Sequence, residues 1–237
     1  MSKLGKIYGI GVGPGDSDLL TVRAVKILEK VDVVFAASST KNDYSNSLAI
    51  ASEYINETCE VVKLGYPMTR DKDILQQAWE DNCHTAVKYI SQGKNAAFLT
   101  LGDPLIYSTF GYMMQTMNRI HPEVEFEVVP GITSYQAAAA KSKQVLVESG
   151  QNLLLTSGVA DPEKFSQTLE AVDNAVILKA YRNFPELREI VGGMKKMNVK
   201  FYTRLGMDGE AIYLDINEVP EKTHYLSLML LTAACGD

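Results

Sequence analysis

Cysteine is scarce in this sequence of 237 residues. The three present, Cys59, Cys83 and Cys235, include no pair at the two-residue gap that zinc and dithiol sites favour. That excludes a disulfide framework, and the expected state is reduced, structural thiols. Histidine is equally sparse: His84, His121 and His224 are scattered, and Cys83 and His84, though adjacent, would point in different directions on a helix. No resident metal is expected. Positive charge is in deficit, since 23 Lys and Arg stand against 29 Asp and Glu for a net charge of −6. Nothing in that balance offers a footprint for nucleic acid or an anionic membrane surface. Long apolar runs are missing too. The longest, Leu226 to Cys235, contains Ser227 and Thr232 and falls far short of the ~20 residues that cross a bilayer. Near the N-terminus, Gly5, Gly9, Gly11, Gly13 and Gly15 break up the apolar segment a signal peptide would need, so the expected location is the cytoplasm.

What is present has ordinary globular proportions, with 46% hydrophobic and 22% charged residues. The length allows one large or two small α/β domains. Short apolar runs at Lys6–Val12, Val31–Ala36, Glu60–Leu64 and Ala96–Leu101 read as strands. Helical patterns at Leu19–Glu29, Ser47–Ile55 and Ile74–Ser91 lie between them, the first behind the capping candidates Asp16, Ser17 and Asp18. Strands apolar on both faces suit a largely parallel sheet covered by helices. A helix from Gly111 to Ile120 ends at His121-Pro122, and a fifth strand, Phe126–Val129, stops at Pro130-Gly131.

After a short helix at Ala137–Ala140 a second series follows. Strands are expected near Leu153–Ser157, Ala175–Ala180, Lys200–Thr203, Ile212–Ile216 and Tyr225–Leu231, with helices at Pro162–Val172 and Pro185–Met197. The last three strands lack long helices between them, which predicts antiparallel pairing. Two α/β domains are expected, 1–115 and 116–237, although no Ser/Gly-rich linker marks the border.

Three loops stand where open α/β sheets place ligands, at the carboxyl ends of strands. The first, Gly9-Ile-Gly-Val-Gly-Pro-Gly15, fails the dinucleotide fingerprint because either register puts Pro14 or Asp16 at the third glycine. It also lacks the Lys-Ser or Lys-Thr pair of a triphosphate loop. The second, Leu101-Gly-Asp-Pro-Leu-Ile-Tyr-Ser-Thr109, joins a permissive glycine, a carboxylate and a rigid proline. The third is Val129-Pro-Gly-Ile-Thr-Ser134. Each alone can be a plain turn, the second closed by its Asp; together they are expected to converge on one crevice.

Gly11–Asp16, Gly102–Pro104 and Pro130–Ser134, in this order and at these separations, resemble the tetrapyrrole methyltransferase family, and the likeness runs over essentially the whole chain. The resemblance implies an S-adenosylmethionine-dependent enzyme of two α/β domains with the active site in the cleft between them, and a homodimer. Gly65-Tyr-Pro-Met-Thr-Arg70, Asn46-Ser-Leu-Ala49 and Tyr107-Ser-Thr109 resemble the branch that methylates C20 of precorrin-2 or cobalt-sirohydrochlorin in cobalamin biosynthesis. Relatives of other regiochemistry (C2/C7, C11 or C17), and diphthine synthases acting on a protein, share the architecture and remain alternatives, as does a binding module without turnover.

Carried over residue by residue, the resemblance implies cofactor contacts at Pro14, Gly102, Asp103, Ile106, Tyr107, Thr133 and Ser134. Further contacts are implied at Lys179, Ala180, Tyr202 and Ser227. Lys179 departs from the methionine or small apolar residue common in relatives. Methyl transfer from a sulfonium chiefly requires alignment. Carbonyls of the glycine loops are expected to hold the methyl by weak CH···O contacts, while Asp103 and Tyr107 are candidates to take the proton, unless water does. The acceptor that the resemblance implies carries eight carboxylates, which need local cations. Lys63, Arg70, Lys72, Arg182 and Arg204 stand next to strand ends, and Tyr66, Arg70, Arg182 and Arg204 are the expected substrate contacts. The bland readings are a Tyr66 ring packed on the core and solvated surface charges.

Overall fold

Five strands, β1 (Lys6–Gly11), β2 (Val33–Ser39), β3 (Glu60–Tyr66), β4 (Ala96–Thr100) and β5 (Glu125–Val129), pair parallel throughout in the order β3-β2-β4-β1-β5. The structure is a computed structural model that describes residues 3–39, 45–194 and 197–233; Cys235 lies outside them. Every residue of β4 is buried, as its unbroken apolar run requires of a central parallel strand. Four helices cover this sheet: α1 (Val22–Leu28), α2 (Asn46–Ala51), α3 (Lys72–Ile90) and α4 (Thr109–Ile120).

Side-chain caps set where these helices begin. Thr21 accepts from the Ala24 amide, Asp71 from those of Asp73 and Ile74, and Ser108 from that of Phe110. The helix expected from Leu19 is therefore two elements. Asp16 caps a short 3-10 turn at Ser17–Leu19, Leu20 is extended, and Thr21 starts α1 afresh. Likewise α2 ends at Ala51 and a 3-10 turn, Ser52–Tyr54, completes that segment.

The core of the sheet is aromatic. Phe98 and Phe110 are fully buried with ring centroids 5.6 Å apart, and Phe126 lies 5.9 Å beyond Phe110. A Cβ on Gly9 would sit 2.2 Å from Phe110 Cζ, so the glycine in β1 is the space that this ring fills.

The chain divides into two compact units, Met1–Thr133 and Ser134–Asp237. The border expected after residue 115 is thus displaced, because β5 pairs along the free edge of β1 and holds everything up to the third loop in the first unit.

In the second unit, α5 (Ser134–Lys141) precedes β6 (Leu153–Ser157), α6 (Pro162–Glu170), β7 (Asn174–Leu178), α7 (Phe184–Gly192), β8 (Met197–Thr203), β9 (Ala211–Tyr213) and β10 (Ser227–Ala233). Strand order is β6-β7-β10-β8-β9, parallel only between β6 and β7. Antiparallel pairing of the last strands is present, but not as a meander, since β10 inserts between β7 and β8. Its run Ser-Leu-Met-Leu-Leu-Thr is wholly buried and needs neighbours on both sides, whereas β9 is three residues long with Ile212 exposed and suits an edge. Helix α7 stops at Gly192-Gly193 instead of running to Met197, the place where paired glycines make helix least favourable.

Both described cysteines are free, and burial raises their thiol pKa, that of the fully buried Cys83 to about 12. The histidines are less scattered than their spacing suggests: His84 Nδ1 on α3 and His121 Nε2 at the end of α4 are 3.2 Å apart.

Gly9→Ala is expected to destabilise the protein by about 1–3 kcal/mol through overpacking against Phe110. Adding Phe110→Leu should return part of that loss in a urea-unfolding double-mutant cycle; strictly additive effects would show that the two residues do not share this space.

Candidate functional site

The loop that leaves β1 is fastened to the next strand end by backbone alone. Val12 donates to the Thr100 carbonyl at 3.0 Å, and the Gly102 amide donates to the Gly13 carbonyl at 2.8 Å in an isolated antiparallel bridge. Gly13 and Gly102 have φ of +81° and +71°, conformations that glycine adopts without penalty. Pro14 follows and is buried.

The second loop is tied to the third by Asp103. Its Oδ1 accepts from the Leu105 amide at 2.8 Å and its Oδ2 from the Gly131 amide at 3.1 Å. Beneath this staple the three glycine backbones touch. A Cβ on Gly11 would lie 2.4 Å, and one on Gly131 2.1 Å, from the Gly102 carbonyl oxygen. A Cβ on Gly102 would meet nothing nearer than Thr133 Cα at 3.9 Å. The glycines therefore have different duties: Gly11 and Gly131 admit neighbouring backbone, while Gly102 leaves an open face.

This geometry revises two expectations. Asp103 accepts from a backbone amide at each oxygen and so serves as a staple between loops, a role its sequence position did not predict. The Gly102 carbonyl is turned toward Gly11 and Gly131, so it is not among the oxygens free to approach a methyl group. The convergence of the three loops, expected from their places at strand ends, is present within the first unit.

Past the staple, Ile106 is half-buried and Tyr107 is 53% exposed on a left-handed backbone with φ of +48°, a conformation that side-chain-bearing residues rarely adopt outside constrained sites. Ser108 then starts α4, its Oγ 2.9 Å from Thr100 Oγ1. Tyr107 lines a depression of about 260 Å³ with Leu105, Tyr112 and Gln115 among its walls. Tyr112 stacks on Trp79 of α3 with centroids 4.9 Å apart and planes within 1°. Sequence reasoning missed this pair. The signal available was the sole tryptophan on a helix facing another helix that bears an exposed aromatic.

Thr133 is buried at the end of the third loop, and Ser134 opens α5 in the second unit. Of the residues expected to contact the cofactor in that unit, Tyr202 is a core residue, fully buried in the cluster with Ala138 and Leu228. Burial raises its hydroxyl pKa, and the expectation of a ligand contact through that side chain is set aside. Ala180 is also fully buried, and Ser227 uses its Oγ to accept from the Tyr181 amide at 2.9 Å. Lys179 alone of these four is exposed.

Tyr66 follows its bland reading. Its ring meets Phe98 edge-on at 6.3 Å, and its hydroxyl is buried, which pushes the pKa up. The nearby Asn82 amide donates to the Gly65 carbonyl at 2.9 Å. Of the residues that follow it, Met68 and Arg70 are exposed. Arg182 and Arg204 are exposed in the second unit. Among the described residues no group of three or more His, Cys, Asp or Glu is placed to hold a metal ion, and no helix is long and apolar enough to cross a membrane.

Comparison with known proteins places this geometry. Residues 6–219 match the family described as Tetrapyrrole (Corrin/Porphyrin) Methylases. A cobalt-precorrin-2 C(20)-methyltransferase of Salmonella typhimurium is 33% identical over 79% of this chain and 78% of its own. A probable cobalt-precorrin-2 C(20)-methyltransferase of Methanocaldococcus jannaschii is 32% identical over 95% of both. A solved cobalt precorrin-4 methyltransferase superposes with a TM-score of 0.74 at 23% identity, covering 96% of this chain and 94% of that one. Two α/β units, each with its own sheet, carrying glycine loops at strand ends, define a methylase fold of this type. The chain belongs to the tetrapyrrole methylase family.

Asp103→Asn should leave one of the two amides facing an NH2 group and cost about 1–3 kcal/mol. For a chain of this length that corresponds to a melting temperature lower by roughly 2–4 °C per kcal/mol in calorimetry. An unchanged melting temperature would remove the staple from the account.

Proposed function

We propose that this protein is an S-adenosylmethionine-dependent C-methyltransferase that methylates C20 of precorrin-2 or of its cobalt form, cobalt-sirohydrochlorin, in cobalamin biosynthesis. The observation that carries this reading is the C(20) assignment shared by the two relatives of 33% and 32% identity, one of which aligns over nearly the entire chain. A precorrin-2 C(20)-methyltransferase of Sinorhizobium, 27% identical over 96% of this chain, supports the same regiochemistry.

The residues present fit the cofactor. The open face over Gly102 would be filled by any side chain, and its φ of +71° reserves the position for glycine. Pro14, Gly102, Ile106, Tyr107 and Thr133 would hold it in the first unit. S-adenosylmethionine supplies an electrophilic methyl group on a positively charged sulfur. The chain's own contribution is then chiefly alignment: the glycine contacts and the Asp103 staple give the binding loop one conformation, so little freedom is lost when a ligand docks. Tyr107 extends from this loop toward solvent and is the side chain of the loop within reach of an acceptor. In this reading the proton displaced from the acceptor carbon passes to solvent. Arg70, exposed just before α3, pairs with an acceptor carboxylate in this reading. In this reading the active form is a homodimer, as the family resemblance implies, working in the cytoplasm, and light scattering at micromolar concentration checks the assembly.

The decisive experiment supplies metal-free and cobalt-containing acceptor separately with methyl-labelled S-adenosylmethionine and locates the label by mass spectrometry and NMR. Label at C20 supports the proposal, and label at C2/C7, C11 or C17 replaces it with another branch of the family. Gly102→Val should abolish cofactor binding in calorimetry, since it fills the open face and opposes the backbone. Arg70→Ala should raise KM for the tetrapyrrole about tenfold, equivalent to about 1.4 kcal/mol, with cofactor affinity unchanged. Equal kinetics would return Arg70 to the solvated surface.

A further inference from the structure

At one end of the second sheet, β7 and β8 finish where β10 begins. Leu178 pairs with Leu228, and Thr203 pairs with Ser227. The next residues along each strand, Lys179 and Arg204, therefore leave the sheet on either side of the first residues of β10, two strand spacings or about 10 Å apart. Both have left-handed backbones, with φ of +52° and +51°. The start of β10 secures each turn: the Arg204 amide donates to the Leu226 carbonyl at 2.9 Å, and the Ala180 amide donates to that of Ser227 at 3.3 Å. The turn after β7 closes by a bond from the Arg182 amide to the Lys179 carbonyl at 3.2 Å. It lays the Arg182 stem over Gly158 at the end of β6, where an added Cβ would be 3.3 Å from Arg182 Cδ. Four strand ends thus cooperate to bring out three cations.

These cations have no acidic counterpart. Among the described residues, Lys6, Arg23, Lys94, Arg119 and Lys141 each have a carboxylate oxygen within 4.0 Å, whereas Lys179, Arg182 and Arg204 have none. Partial burial and the Arg182 charge lower the Lys179 pKa, and burial with the Arg204 charge lowers that of His224. Like charges have been gathered here in a chain whose net charge is −6, an arrangement that a bound anion would relieve. Directly beneath, Ala180, Tyr202 and Ser227 are buried, and Tyr181 packs against Arg182.

We propose that Lys179, Arg182 and Arg204 form a carboxylate-binding subsite for the acceptor, in which Lys179 recognises the tetrapyrrole rather than the cofactor. The proposal rests on the reading of the chain as a tetrapyrrole methyltransferase and adds which residues select a polycarboxylate. Two guanidinium forks and an ammonium suit the acetate and propionate arms that neighbour one another on a pyrrole ring, where several carboxylates arrive together.

The test uses Lys179→Asn and Arg204→Asn, singly and combined, since asparagine removes the charge yet tolerates the left-handed backbone. Uroporphyrin, with eight carboxylates, and coproporphyrin, with four, are titrated by fluorescence; S-adenosylmethionine is titrated by calorimetry; and KM and kcat are measured with the acceptor. Wild type should bind uroporphyrin more tightly than coproporphyrin. Each single variant should weaken uroporphyrin binding at least fivefold and flatten its salt dependence, raise acceptor KM, and leave kcat and cofactor affinity within twofold. Lys179→Arg should recover most of the loss. Uroporphyrin binding equal to wild type in Lys179→Asn, or a loss confined to cofactor affinity, would overturn the subsite. The porphyrin titrations read the subsite whichever carbon is methylated, whereas label at a carbon other than C20 would overturn the regiochemical reading alone.

Discussion

The contact of three glycine backbones is the constraint on which the rest of the first unit depends. Gly11, Gly102 and Gly131 come from loops that are far apart in sequence, and a single Cβ on Gly11 or Gly131 would intrude to within 2.4 Å of the Gly102 carbonyl. Such an approach is available only because the parallel sheet ends β1, β4 and β5 side by side. The Asp103 carboxylate then satisfies amides that would otherwise be stranded where backbone meets backbone. Rigidity here comes from the main chain and one side chain, which leaves the outer face of Gly102 for a ligand.

Burial enforces the sheets that deliver these ends. The buried and largely apolar β4 and β10 occupy central positions, with helices or further strands on either side, and the short β9 takes an edge. At the other extreme, the cations at the ends of β7 and β8 stay at the surface, since a fully buried and unpaired charge would be far more costly than an exposed one. Exposed charge in the second unit accordingly lies where strands stop, while residues further inward, such as Tyr202, are committed to packing.

Residues whose surroundings differ from the expectation share a physical cause. Asp103 was expected to face chemistry because it is a carboxylate in a glycine loop, yet an Asp beside exposed amides bonds to them first. Tyr66 and Tyr202 are amphipathic, and sequence alone does not say whether the ring or the hydroxyl prevails; in both the hydroxyl is buried. Trp79 and Tyr112 were passed over because stacking across two helices is a relation between surfaces, invisible in the spacing along either one.

By itself the sequence determined two α/β series, the strand-end placement of the three loops and their likeness to one family, because apolar periodicity and glycine position are local properties that tertiary context rarely reverses. Only the tertiary structure decided that β5 closes the first unit on the far side of β1, that β10 divides β7 from β8, and that Lys179, Arg182 and Arg204 share one sheet end. Those outcomes turn on which strand edge finds which partner, a competition among distant segments for burial that no window of sequence contains.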